Sequence, residues 1–386
     1  MPSPNDGQVG SEAAASSAAI PSPQELSEKL SPIDLVIQPR TEGEHLVVLY
    51  GLRGQFWEAR LKLSETAVLD LYRRHFATTK AALEGKEDLR TLAEIGYQTF
   101  VRLLPDEDFR EAVAAAIDNS VDFRIEIIGD PYLIPWGLLY TRSPNARFHE
   151  RHFVGVTARL KRSFLSERYV KPPSPSIAVA RPRILFGLNS DLTHARTVEH
   201  PFISRLAPAS AAFHMLPALK GDVSEGRRKL RELLIAGDAD FIHFACHGTG
   251  LDEAHCATFT IDKRFKIRSD ILFRQGDRLS KIPIVFLNAC EMGISRADQY
   301  QSLVRPFLDC GARAVIATEC NVPDKRAARF ACDVYGKLFL ERKSLAQAVV
   351  EATAFRCAQG DPIGLAYTVY GQADARLLTV APDPVA

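Results

Sequence analysis

Apolar and polar positions alternate in the manner of short strands at Ile33–Ile37, His45–Tyr50 and Phe56–Leu63, whereas apolar residues recur at helical spacing through Ala67–Leu83, Leu89–Leu104 and Phe109–Ile117. An apolar strand follows at Val121–Ile128. The turn signal Gly129-Asp130-Pro131 stops it, and Ile134-Pro135-Trp136-Gly137-Leu138-Leu139 comes next. Beyond a proline-rich stretch the pattern becomes regular. Strands are predicted at Ile184–Leu188, Ala212–Leu216, Phe241–Cys246, Ile282–Leu287 and Ala314–Thr318. Helices are predicted at Ala195–Leu206, Ser224–Ala236 and Ser302–Leu308, followed by two long helical patterns through Ala354. Short apolar strands alternating with helices imply an α/β fold, a mainly parallel sheet covered on both faces, and chemistry at the carboxyl ends of the strands.

The prolines of Tyr169–Pro182 favour extended backbone and mark the expected domain boundary. The division is a disordered tail at 1–30, a smaller α+β region at 31–168, a linker at 169–182 and an α/β domain at 183–380. The first residues are rich in Ser, Ala, Pro and Gly and lack the basic and apolar regions of a secretory signal. No apolar run approaches the ~18–20 residues of a spanning helix. With 386 residues and 48 Lys+Arg against 47 Asp+Glu, the formal charge of +1 gives no global attraction for nucleic acid or an anionic membrane, and neither is expected as a partner. The seven cysteines include no CxxC pair and are too sparse for a disulfide scaffold, which points to reduced thiols and a cytoplasmic setting.

Two strand ends carry the candidate chemistry. Asp240-Phe241-Ile242-His243-Phe244-Ala245-Cys246-His247-Gly248 runs from an apolar strand into a His-Gly turn, and Ile284-Val285-Phe286-Leu287-Asn288-Ala289-Cys290 delivers a cysteine at the same relative place. At one sheet edge, Cys290 and His247 can act as nucleophile and acid/base. The backbone N–H groups of Gly248 and Cys290 could hold a developing oxyanion, worth about 3–4 kcal/mol per donor. Taken alone, Cys290 reads as a buried structural thiol, and His247 as an ordinary turn residue; their occurrence together changes that reading. His243 and His247 are spread over about 13 Å on a strand, too far apart for one zinc, so His243 reads as a hydrogen-bonded core histidine. Cys246 reads as packing, and Cys256, Cys310, Cys320, Cys332 and Cys357 as unpaired thiols. The basic run Asp262–Arg268 reads as a solvated hairpin.

The pair of segments resembles the CHAT domain, a branch of the caspase, separase and clostripain group of cysteine peptidases. Further matching segments are Asp270-Ile271-Leu272, Gly311–Ala317 leading to Asp324, Ser344–Ala348 and Tyr367–Gly371, over roughly Pro182–Leu378. Ile134–Leu139 is similar to a segment often found ahead of that core, with Gly137 in place of an acidic residue. The resemblance implies a caspase-like sheet and peptide-bond hydrolysis through a thioester, with His247 and Cys290 as the dyad and neither metal nor cofactor. It also implies that pocket residues fall at Asp191, Asn288, and Glu319 or Asp324, an acidic set suited to Arg or Lys at P1, with Asp324 the best single carboxylate. Cys320 stands where the family often has tryptophan. The implied partners are a protein substrate and an activating or sensor protein, in a regulated pathway such as bacterial defence or cell death. The rival readings are a weakly active scaffold or regulatory binding protein, and a Cys-dependent acyl transferase on the same strand ends.

Overall fold

Strands β1 (Leu35–Glu42), β2 (His45–Leu52) and β3 (Gln55–Leu61) form an antiparallel meander. The two-residue turn joining β2 to β3, Arg53-Gly54, has both φ values positive, which suits the right-handed twist of a hairpin. This is a computed structural model, describing residues 33–378 apart from 43–44, 62, 130–133, 146, 164–173, 175, 179–181, 207–212, 216–222, 250–257, 263–264, 269–271, 275 and 291–303.

Helices α1 (Glu65–Leu83), α2 (Leu89–Leu103) and α3 (Glu107–Asp118) follow. They begin at Ser64, Asp88 and Asp106, whose side chains accept backbone N–H groups three residues on. β4 (Phe123–Ile128) pairs in parallel with β1. Past the short helix α4 (Val154–Thr157), β5 (Ala158–Ser163) pairs in parallel with β4. β5 alternates buried and half-buried positions. The later elements are β6 (Ser176–Ala178), β7 (Ile184–Leu188), α5 (His200–Leu206), β8 (Phe213–Met215), α6 (Val223–Ala236), β9 (Phe241–Thr249), β10 (Thr258–Asp262), β11 (Phe265–Arg268), β12 (Ile284–Cys290), β13 (Ala314–Thr318), α7 (Asp324–Phe339), α8 (Leu345–Cys357), β14 (Tyr367–Gly371) and β15 (Arg376–Leu378).

The mainly parallel, helix-flanked sheet expected of the second half is present: β8, β7, β9, β12 and β13 are parallel neighbours in that order. β14 returns antiparallel to β13. The sheet then continues through β5, β4, β1, β2 and β3. The expected boundary at 169–182 therefore coincides with no break in hydrogen bonding, because β5 before it and β14 after it are adjacent. Side-chain packing crosses the same seam: Tyr72, Phe76, Leu92, Tyr140 and Phe153 share one apolar cluster with Phe244, Val285 and Phe330. Arg162 of β5 donates to Glu319 Oε1 at 3.0 Å and to the Ile134 carbonyl, and Tyr72 Oη donates to the Glu319 carbonyl at 3.1 Å. Gly137 touches Gly155, where an added Cβ would lie 3.0 Å from the Gly137 carbonyl oxygen.

Three element boundaries differ from expectation for local reasons. Pro283 has no N–H to contribute to a ladder, and β12 starts after it at Ile284. The helix expected from Ala195 opens as a π-helical stretch, Ala195–Glu199, and only then becomes α5. Pro201, lacking an N–H and crowding the carbonyl four residues back, accounts for that widening. β9 does not turn at His247 but continues to Thr249, because β10 pairs with its last three residues. β10 and β11 form the expected hairpin.

The α1–α2 contact contains an acid-sensitive group. His75 is fully buried, with Nε2 2.8 Å from Thr99 Oγ1, and the Thr99 hydroxyl donates to the Ile95 carbonyl. His75 must therefore donate from Nε2, which leaves Nδ1 buried and unprotonated. Burial, with a smaller contribution from Arg74, pushes the imidazole from 6.5 down to about 3. The unfolded chain thus takes up a proton near pH 6.5 that the folded chain refuses until about pH 3, so stability falls with decreasing pH across that window. The slope from this group approaches about 1.4 kcal/mol per pH unit. Urea midpoints measured across it should fall less steeply for His75→Gln than for the parent protein; equal slopes would refute the assignment.

Candidate active site

β9 and β12 lie side by side in parallel, with Phe286 opposite His243, Asn288 opposite Ala245 and Cys290 opposite His247. Side chains alternate along each strand and paired residues in a parallel register share a face, so His243, His247 and Asn288 belong to one face of the sheet, and Cys290 is the backbone partner of His247. Both strands reach the carboxyl edge beyond the last β12–β13 pair, Leu287 with Ala317. His247 is half-buried and its Nδ1 is buried with no hydrogen-bond partner among the described residues. Cys246, on the opposite face, is fully buried, and burial pushes its thiol up to about 12, as a packing cysteine requires. Cys310, Cys320, Cys332 and Cys357 form no disulfide among the described residues, and Cys256 lies outside them.

Beneath the paired strand ends runs a buried polar network. His243 Nδ1 is 3.1 Å from Tyr335 Oη, and its ring stacks on Phe186 at 4.5 Å between centroids. His243 Nε2 lies 2.7 Å from Glu199 Oε1 but off the line of a hydrogen bond. Asn288 Nδ2 donates to the same Glu199 oxygen at 2.8 Å, and Tyr367 Oη donates to Asn288 Oδ1 at 2.6 Å. The network joins the π-helical stretch, β9, β12, β14 and α7, fixing the two strand ends relative to each other. His243 is thus the core histidine expected from its spacing. Glu199 and Tyr367 were not singled out by sequence reasoning. The one local sign was a polar Asn288 within an otherwise apolar strand, and its partner lies 89 residues away.

The anticipated pocket residues are separated by their surroundings. Asp191 is exposed just past β7, its N–H donating to Asn189 Oδ1. Asn288 is 2% exposed, with both ends of its amide engaged as described. Asp324 opens α7, and its carboxylate accepts the backbone N–H groups of His194 at 2.7 Å and Ala195 at 3.0 Å, holding the start of the π-helical stretch; His194 Nδ1 is also within 3.2 Å. Glu319 is turned inward to Arg162 and Tyr370. Cys320 is buried, and burial together with the neighbouring Glu319 raises its thiol well above the usual range. Gly248 is buried within β9 opposite Phe259. Among the described residues no group of His, Cys, Asp and Glu is arranged to hold a metal ion, and no helix is long and apolar enough to cross a membrane.

The CHAT domain family model matches residues 82–361, nearly three quarters of the chain. This chain belongs to the CHAT domain family. The matched span starts inside α1 and crosses the linker, in keeping with one sheet that incorporates strands from both sides of it. Among solved structures, this CHAT protein resembles separase in the Saccharomyces cerevisiae separase–securin complex, with a TM-score of 0.51 and 12% identity over 89% of this chain and 30% of that one. It covers less than a third of that separase chain, and the likeness is one of fold. Lesser similarities are to the Arg-specific cysteine proteinase gingipain R (TM-score 0.43, 11% identity, 72% of this chain and 69% of that one) and to caspase-1 from Spodoptera frugiperda (0.33, 12%, 56% and 98%). The CHAT sequence matches no curated protein.

Proposed function

We propose that this CHAT protein is a cysteine endopeptidase in which Cys290 attacks the scissile carbonyl and His247 manages the proton. The observation that carries the reading is the direct register of Cys290 beside His247 at the carboxyl edge of a parallel sheet. The thiol proton passes to His247 as the sulfur–carbon bond forms. The oxyanion is held by the N–H groups of Gly248 and Cys290; collapse to the thioester then breaks the C–N bond, and His247 protonates the departing amine. Water, deprotonated by His247, hydrolyses the thioester and regenerates the thiol. No metal or other cofactor enters these steps.

The preferred P1 side chain is Arg or Lys. The exposed carboxylate of Asp191 past β7 supports this; Asp324 at the start of α7 adds only its negative charge, since both its oxygens already accept from the backbone N–H groups of His194 and Ala195. Asn288, buried and engaged, shapes the pocket from below instead of pairing with substrate. A protein partner governs access, by analogy with separase, which was solved in complex with securin; the pathway served is a regulated one, such as defence or cell death. An arginine acyloxymethyl-ketone probe should label the parent protein and leave Cys290→Ala unlabelled. In a P1 library, Arg and Lys should exceed small apolar residues by about tenfold or more, as expected for a charge-assisted bidentate contact. Small apolar residues cleaved fastest would overturn the specificity, and absence of labelling with or without added partner proteins would favour a scaffold.

A further inference from the structure

The catalytic pair leaves one side of His247 unexplained. Its Nδ1 is buried without a partner among the described residues, although the residue as a whole is half-buried. On the side away from Cys290, β10 pairs antiparallel with the end of β9, and the residue directly opposite His247 is Thr260. Directly opposed residues of an antiparallel pair project from the same face, with Cβ atoms about 4.5–5.5 Å apart. Thr260 is 9% exposed, and its Oγ1 is also buried without a hydrogen-bond partner among the described residues. Two complementary buried polar atoms therefore belong to side chains on the same face of neighbouring strands, each otherwise carrying the cost of an unmade bond.

We infer that Thr260 is the positioning residue for His247: its hydroxyl accepts a hydrogen bond from Nδ1–H, fixing the tautomer that leaves Nε2 for the reacting atoms. The backbone of Thr260 is itself secured. Asn189, at the end of β7, donates from Nδ2 to the Thr260 carbonyl at 2.7 Å, and its N–H donates to the Ala245 carbonyl of β9 at 2.8 Å. Cys290, His247 and Thr260 then form one row across β12, β9 and β10, holding the roles of nucleophile, acid/base and orienting group. A hydroxyl in the third place carries no charge, so it sets the ring's tautomer and direction without stabilising an imidazolium as a carboxylate would.

This inference rests on the endopeptidase reading, and its test separates the two. The full-length protein, labelled with 15N-histidine, is compared as parent, Thr260→Val and Thr260→Ser at a pH well above the imidazole range, with the His247 signal assigned through His247→Gln. The parent and Thr260→Ser should show the Nδ1–H tautomer, and Thr260→Val a mixture. Against a peptide substrate, Thr260→Val should lower kcat by about tenfold, part of the usual contribution of general acid–base catalysis, with KM little changed, and Thr260→Ser should recover most of the loss. A Thr260→Val protein that keeps both the Nδ1–H tautomer and the parent kcat would overturn the inference. Loss of the tautomer in Thr260→Val from a parent that hydrolyses no peptide would sink the endopeptidase reading and leave the Thr260–His247 contact standing.

Discussion

Cys290→Ala is expected to lower amide hydrolysis by at least about four orders of magnitude, because on the proposed mechanism it removes the atom that would form the covalent intermediate and leaves only the oxyanion donors and substrate binding. His247→Gln should cost less, and the cost should depend on the leaving group. An amine departs only when protonated, so a peptide substrate should lose about 10²–10⁴-fold without the imidazole. An activated ester, whose leaving group departs as a stable anion, should lose much less, the remaining deficit reflecting thiol activation. Paired measurements of kcat/KM on amide and ester substrates of the same P1 residue test this division of labour. Equal losses on both substrates would mean that His247 serves mainly to ionise the thiol. A Cys290→Ala protein that retained turnover would exclude Cys290 as nucleophile.

Glu319→Gln is expected to be strongly destabilising, at about 3–5 kcal/mol, because it removes the carboxylate charge beside the Arg162 guanidinium in a site where that side chain is 4% exposed. The converse change, Arg162→Met, should cost less. An isolated carboxylate can take a proton and become neutral, whereas a guanidinium cannot shed its charge. Replacing both residues, as Arg162→Met with Glu319→Leu, should recover much of the loss, since a buried ion pair offers little advantage over apolar side chains of similar volume. Chemical denaturation of the three variants orders them, and the ordering fails if Glu319→Gln proves as stable as Arg162→Met. Activity should respond as well, because the Glu319 carbonyl and carboxylate tie Tyr72, Tyr370 and Arg162 to the end of β13, next to the candidate site.

These two sites also show what the sequence reveals and what it hides. β9, β12 and β13 were legible because a run of apolar residues bounded by turn signals has few alternatives in an α/β chain. The juxtaposition of Cys290 and His247 followed from two such strands ending at the same edge, a register the backbone now supplies. β5 was missed, since Arg159, Lys161 and Arg162 give Ala158–Ser163 the appearance of a polar surface segment. Arg162 is buried against Glu319, 157 residues later, and no local pattern carries that information. The same holds for Glu199: a single acidic residue in an amphipathic stretch looks solvent-facing until Asn288 and His243 close over it. His247 was placed at a turn because glycine follows it, whereas pairing with β10 holds the strand straight for two more residues. Long-range polar pairing, in each case, outweighed the local preference.

All five residues of β14 are buried, and β5 covers the side of that strand that β13 does not. Residues 183–380 expressed alone would therefore present β14 as a bare, apolar strand with unsatisfied backbone groups, a template for adhesion to other chains. The segment carrying Cys290 and His247 is thus not expected to behave as a detachable module. Scission of the chain between 169 and 182 would leave the two pieces held by strand pairing and the Arg162–Glu319 contact, so a cut there would sever the polypeptide without releasing either half.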